Sequence, residues 1–292
     1  MVVENVRILR KENIDFPWRL RILEDCPDVI YVMGNQRILN DFSIAVVGSR
    51  KCDEYGRIVT EKFSSELAAS NVSIISGLAE GIDTIAHQSA LKVKGKTIAV
   101  LGGGFEKIFP ESNIELFHDI VRFGGAVISE YPPDEIPKSM NFPRRNRIVA
   151  CMSDGTLVTQ ARAKSGALIT ANIAKKYNRK LFTIPANLEN RNSEGTIQLI
   201  KQNAKIVFEV EDVLEEFKYY KYAPKEIEKT SGEKKIPEKY QEIYSVLRKE
   251  TLQANEICRK TGKSIGQVLV DLTMMEMQGY IKQAPGGRYI TI

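Results

Sequence analysis

Between residues 44 and 210 the chain alternates two hydrophobic periods. Short continuous apolar runs stand at IAVV (44–47), VSII (72–75), TIAVL (97–101), AVIS (126–129), TLVT (156–159) and LFTI (181–184). Longer stretches with apolar residues three or four apart separate them, as at 55–69, 82–93, 113–123 and 167–177. Continuous runs mark strands buried on both faces, and the helical spacing marks the segments that cover them. Repeated strand–helix units joined by right-handed crossovers predict a doubly wound parallel sheet of the α/β class. Residues 1–43 read as a short N-terminal lead-in, with a helix over 18–24 and a strand over 29–33.

The pattern changes at 218–236, KYYKYAPKEIEKTSGEKKI, which is rich in Lys and Glu and has no core periodicity. It reads as a solvated, mobile linker. Beyond it, helices are predicted over 238–248, 254–261 and 265–278. Two short strands follow around Pro285-Gly286-Gly287, a hairpin signal. Three helices and a hairpin over 237–292 predict a small C-terminal winged-helix domain. In its third helix Val268, Leu269, Leu272 and Met275 recur at helical spacing and read as core, and no Lys or Arg follows Lys263 before Gly279.

Composition adds exclusions. A chain of 292 residues fits about two domains, and 43% hydrophobic with 27% charged residues is an ordinary globular balance. No apolar run approaches the roughly 18 residues of a membrane span, and acids stand where a signal peptide needs its apolar stretch. Cys26, Cys52, Cys151 and Cys258 are widely spaced, which fits a cytoplasmic protein. With only His87 and His118, a multi-histidine metal site is excluded, and no cofactor is expected. The net charge of +5 and pI near 8.8 lean toward an anionic partner.

In an open parallel sheet, ligands bind beyond the carboxyl ends of the strands. The first such loop, Gly48-Ser49-Arg50, lacks the full dinucleotide fingerprint but offers backbone N–H groups and a guanidinium to an anion. The second, Ser76-Gly77, permits close approach of a ligand; there Asp83 reads as a helix cap and His87 as a packing residue. Gly102-Gly103-Gly104 is a weaker signal of the same kind. Asn141-Phe142-Pro143 leads into Arg144, Arg145, Asn146 and Arg147, and three guanidiniums at a helix start oppose the macrodipole unless an anion is bound. Several spaced cations suit several spaced phosphates. Ser165 is a natural N-cap and Gly166 exposes N–H groups beside it. Gln160 stands where a nucleotide-cleaving enzyme needs a carboxylate.

The stretches IAVVGSR, SGLAEGIDTIAHQSAL, GKTIAVLGGG with a later FP, GGAVISEYPP, NFPRRNRIVACMS, SGALITANIA and KLFTIP occur in this order over roughly residues 16–217. Together they resemble the DNA-processing protein DprA, or Smf, family. The resemblance implies an extended Rossmann-like fold, non-catalytic binding of single-stranded DNA as a homodimer, and loading of the RecA recombinase onto incoming DNA during natural transformation. Carried over, the DNA-binding residues are Gly48, Ser49, Arg50, Ser76, Gly77, Lys138, Phe142, Arg144, Arg145, Asn146, Arg147, Ser165 and Gly166. Gln160, Ala186, Ile197 and Asn203 depart from the family pattern.

Read from the residues, Arg50, Lys138, Arg144, Arg145 and Arg147 would form one electrostatic groove, with Phe142 as an exposed stacking platform. The rival class is a nucleotide phosphoribohydrolase-like Rossmann enzyme, whose glycine-rich loop resembles 155–160 but which needs the carboxylate that Gln160 lacks. A DNA-reading regulator built on the winged helix is a third reading.

Overall fold

The computed structural model describes residues 6–217, 236–284 and 287–291. The expected linker, save Ile236, and the hairpin tip at Pro285-Gly286 lie outside them. The chain forms two compact units. In the first, the strands are β1 Arg7–Arg10, β2 Val29–Gly34, β3 Ser43–Gly48, β4 Ser73–Ser76, β5 Thr97–Leu101, β6 Ala126–Ser129, β7 Gly155–Gln160, β8 Lys180–Thr183 and β9 Lys205–Ile206. Its helices are α1 Glu54–Ala69, α2 Ile82–Lys92, α3 Ile114–Arg122, α4 Asn141–Met152, α5 Gly166–Lys176, α6 Glu194–Lys201 and α7 Val210–Glu215.

The strands form one sheet in the order β1-β2-β6-β5-β4-β3-β7-β8-β9. From β6 to β9 every pairing is parallel, whereas β2 and β1 join antiparallel at the β6 edge. The chain winds outward from β3 through β4, β5 and β6, then crosses to β7, β8 and β9, which places a topological switch point between β3 and β7. Alternate residues of β3 serve opposite faces. Ile44 and Val46 pack with Phe63 and Leu67 of α1 and Ala86 of α2. Ala45 and Val47 pack with Ile148 and Val149 of α4 and Ala171 of α5. The period of two along the strand is what covers the sheet on both sides.

The lead-in supplies β1 and β2, so it is part of this sheet. Its expected helix at 18–24 is instead a 3-10 turn, Trp18–Ile22. Within that turn buried Arg19 grips Asp154 with both carboxylate oxygens, at 3.0 and 2.8 Å, and Asp154 also accepts from the Ser43 N–H. A bidentate, fully hydrogen-bonded pair of this kind is tolerated in a core where a lone charge is not.

The second unit holds α8 Glu238–Lys249, β10 Leu252–Gln253, α9 Ala254–Thr261, α10 Ile265–Met277, β11 Ile281–Ala284 and β12 Arg288–Thr291, with sheet order β10-β12-β11. This is a winged helix. Val268, Leu272 and Met275 are buried with Tyr240, Ile243 and Ile257. Leu269, expected in that core, is exposed; one residue further round the helix, it leaves the stripe that its neighbours four and three apart define.

Candidate nucleic-acid interface

A cleft of about 410 Å³ opens at the carboxyl ends of β3, β4 and β7. Two tight approaches build it. Gly81, at φ +75, begins α2 where a Cβ would strike the carbonyls of Ser49 and Arg50, so the first and second loops lie against each other. A Cβ on Gly77 would meet Arg145 Nη2 at 2.6 Å and Asp83 Oδ2 at 2.7 Å, so that position admits only glycine without displacing both side chains.

Of the residues predicted from sequence, the cleft gathers Gly48, Ser49, Arg50, Gly77, Phe142, Arg145, Asn146, Ser165 and Gly166. Arg50 is exposed, and among the described residues no carboxylate pairs with it. Its guanidinium lies 5.9 Å from the centre of the Phe142 ring, within cation–π range. Ser165 caps α5 by accepting from the Ala167 N–H at 3.3 Å. Gly166 is exposed, with open space where its Cβ would stand, so the start of α5 faces solvent and can receive an anion.

Arg145 is a buried floor of the cleft. Its guanidinium donates to the carbonyls of Gly77 and Val100. Burial pulls it down to about 10, opposed by the charge of Asp83. Asp83 is itself buried and accepts from the N–H groups of Gly77 at 3.1 Å and Ala79 at 3.4 Å. Burial pushes this carboxyl up, while Arg145 and those donors oppose the shift.

Four predicted residues fall elsewhere. Ser76 is fully buried, and its hydroxyl donates to the Val46 carbonyl at 2.7 Å. Lys138 pairs with Glu135 at 2.7 Å and Arg144 with Glu130 at 3.2 Å, both away from the cleft lining. Arg147 is buried and pairs with Asp25 at 2.6 Å and Glu130 at 2.7 Å. Arg144 and Arg147, three positions apart, share Glu130, whereas Arg145, about 100° from Arg144 round the helix, turns to the Gly77 and Val100 carbonyls, so the three guanidiniums do not converge on one ligand. Internal carboxylates supply the negative charge expected of a bound anion. Phe142 is half-buried rather than an open platform, because its ring covers Gly102, where a Cβ would touch it at 2.8 Å.

The structure also adds residues that sequence reasoning missed. Lys51, Arg162 and Lys164 line the same cleft and are exposed. Phe109, 53% exposed, stands 5.5 Å from Phe142 between ring centres. Its signal is present in the FP pair after the triple glycine, but nothing in the spacing ties it to the fourth loop. Five cations thus surround one cleft whose sole lining carboxylate is Asp83, itself tied to backbone N–H groups.

Gln160 is buried at the end of β7. It donates to Asp53 Oδ1 at 2.8 Å and accepts from the Asp53 N–H at 3.1 Å. Asn190 and Asn192 donate to the other Asp53 oxygen, at 2.8 and 3.1 Å. Burial alone would raise the Asp53 carboxyl, but the Gly56 N–H, Asn190, Gln160 and Asn192 outweigh it and hold the group well below the usual carboxylate range. Asp53 is therefore a fixed cap of α1.

Comparison with known proteins agrees with this architecture. Residues 7–218 match the family described as DNA recombination-mediator protein A, and residues 228–287 match the DprA winged helix domain. Protein Smf of Escherichia coli is 35% identical over 287 residues, spanning 97% of this chain and 77% of that protein. DNA processing protein DprA of Streptococcus pneumoniae is 41% identical over 204 residues, 70% of this chain and 72% of the relative. Among solved structures, DNA processing protein A from Streptococcus pneumoniae aligns with a TM-score of 0.68 at 38% identity, covering 73% of this chain and 75% of that one. DNA processing protein A from Helicobacter pylori, a structure described for its single-stranded DNA binding mode, aligns at 0.66 and 31% identity, over 73% and 95% of the two chains. One family accounts for the sheet unit and a matching domain for the winged helix, and this chain belongs to the DNA recombination-mediator protein A family.

Proposed function

We propose that this protein binds single-stranded DNA without turning it over, acts in the cytoplasm as a homodimer, and hands the strand to the RecA recombinase during uptake and recombination of DNA. The observation that carries the reading is the cleft ringed by the exposed cations Arg50, Lys51, Arg162 and Lys164 above the buried Arg145, with one backbone-bound carboxylate. Spaced cations neutralise successive phosphates. The exposed ring of Phe109 beside them, set against half-buried Phe142, suits an unstacked base, which a duplex does not present. The Helicobacter pylori relative described for single-stranded DNA binding supports the substrate, and the family's description as a recombination mediator supports the hand-off. Asp53 and Asp83 are both engaged by backbone N–H groups, which leaves neither poised as a general acid or base.

Titrating labelled single strands and duplexes of one sequence across a salt series tests this. The expected result is tighter single-strand binding whose log affinity falls with log salt at about −0.7 per phosphate neutralised. Equal binding of duplex, or release of free base from nucleoside monophosphates by the pure protein, would replace this reading with a duplex reader or the phosphoribohydrolase-like alternative.

A further inference from the structure

Beside the main cleft, a recess of about 70 Å³ lies between Phe109, Pro110, Phe142, Arg50, Arg145 and Glu80. Phe142 is covered by Gly102 on one side, so the free aromatic surface here is Phe109. The polar groups of the recess are unequal. Arg145 is occupied by the carbonyls of Gly77 and Val100. Arg50 has no carboxylate partner among the described residues and faces the phosphate cleft. Glu80 is exposed and, among the described residues, has no hydrogen-bond or ion-pair partner. It is the one side-chain acceptor among the lining residues, which otherwise bring rings, cations and the small residues Gly77 and Ala79.

Resting on the single-strand reading above, we propose that Glu80 makes this recess selective for nucleobases bearing an exocyclic amine over thymine. A base stacked on Phe109 turns its edge toward the remaining wall. A carboxylate accepts from the cytosine N4 amine, as acidic side chains do when they read that base. Adenine offers N6 in the same way, and guanine offers N1–H and its N2 amine side by side. Thymine has one N–H flanked by two carbonyl oxygens, so a carboxylate at its edge meets repulsion on both sides. Stacking on a phenylalanine is indifferent to the base; the preference arises from Glu80 alone. Because Glu80 is exposed, water competes and the discrimination is modest.

Oligo-dC and oligo-dT of equal length separate these contributions, since the two pyrimidines differ chiefly in the amine and carbonyl at C4. Fluorescence anisotropy with the full chain is expected to show oligo-dC bound about threefold to tenfold more tightly than oligo-dT. Glu80→Gln, whose amide both donates and accepts, should bring that ratio close to one while strengthening oligo-dT binding. Phe109→Ala should weaken both strands by about tenfold. Equal wild-type affinities, or a ratio that survives Glu80→Gln, would overturn the inference while leaving single-strand binding standing. No binding of either strand by the wild type would overturn the single-strand reading and this inference with it.

Discussion

Asp83 and Arg145 are joined through one residue between them: Gly77 donates its N–H to the carboxylate at 3.1 Å and offers its carbonyl to the guanidinium. The charge of each offsets part of the cost of burying the other, and the glycine backbone supplies the hydrogen bonds. Asp83→Asn leaves Arg145 as a buried cation without its facing charge. A loss of about 2–4 kcal/mol in urea unfolding is expected. Unchanged stability would mean that Arg145 is compensated by the carbonyls alone.

The arginines of the site divide by partner. Arg50→Ala should weaken single-strand binding and flatten the salt slope by about 0.7, one phosphate's share. Arg147→Ala should leave affinity within about twofold and instead cost about 2–4 kcal/mol of stability, because Glu130 loses its shorter ion pair. An unaltered slope in the first variant, or a lowered one in a folded second variant, would reverse the assignment.

Gln160→Glu sets a carboxylate against Asp53, which its hydrogen bonds keep ionised far into acid. The introduced group is held above its usual range by the neighbouring charge. Its cost, about 1–3 kcal/mol, is therefore full at alkaline pH. It fades as pH falls through the raised value, where the introduced carboxyl takes up a proton and donates it to Asp53 in a hydrogen bond. Thermal unfolding of both proteins at several pH values reads this directly. A penalty that grows toward acid would exclude the contact.

His87 is fully buried, with Nδ1 2.6 Å from the Thr97 hydroxyl. That hydroxyl donates to the Ile74 carbonyl, so the histidine supplies the proton between them. Burial, aided by the Arg145 charge, lowers it from 6.5 to about 3. The unfolded chain takes up a proton below 6.5 and the folded one does not until near 3, so stability is present above 6.5 and is lost as pH falls through this window. The slope is about 1.4 kcal/mol per pH unit. His87→Gln should flatten the upper part of that limb, before the carboxylates titrate; an unaltered slope there would show that His87 is charged in the fold.

A chain ending at Phe217 should fold and retain single-strand affinity within about threefold. Phe217 closes the sheet unit against Phe42 and Phe182, at 4.9 and 6.0 Å between ring centres. In the winged helix, α10 has no Lys or Arg, and Asp271 is paired back to Lys263 at 3.3 Å. Helices that enter the major groove need basic and polar side chains there. A tenfold loss in a folded truncation would make the winged helix a primary DNA site.

The sheet was legible from β3 to β8 because each of those strands lies in a short, largely apolar run, whereas β9, Lys205–Ile206, is two residues long and leaves no run to read. The site was legible only where a loop carries its own chemistry, as at Gly48-Ser49-Arg50 and Ser165-Gly166. Arg145 and Arg147 read as part of an exposed groove for phosphates, and their burial was not legible because the groups that enclose them, Gly77, Val100, Asp25 and Glu130, lie 17 to 122 residues away. Lys51, Arg162 and Lys164 join the site only when β3 and β7 become neighbours. The 3-10 turn at Trp18–Ile22 escaped because its length is that of a single helical turn.

The antiparallel addition of β1 and β2 changes what the sheet can do at its margins. Without it, β6 would present a row of unpaired amides and carbonyls to any extended chain. With it, the outermost strand is four residues long and carries Arg7 and Arg10 exposed at its two ends. Two such strands brought together antiparallel would oppose arginine to arginine. At the other margin β9 has two residues, too short to template a partner. Both borders therefore resist strand addition. Among the described residues, an extended segment that meets either margin, from this chain or another, finds little ladder to join.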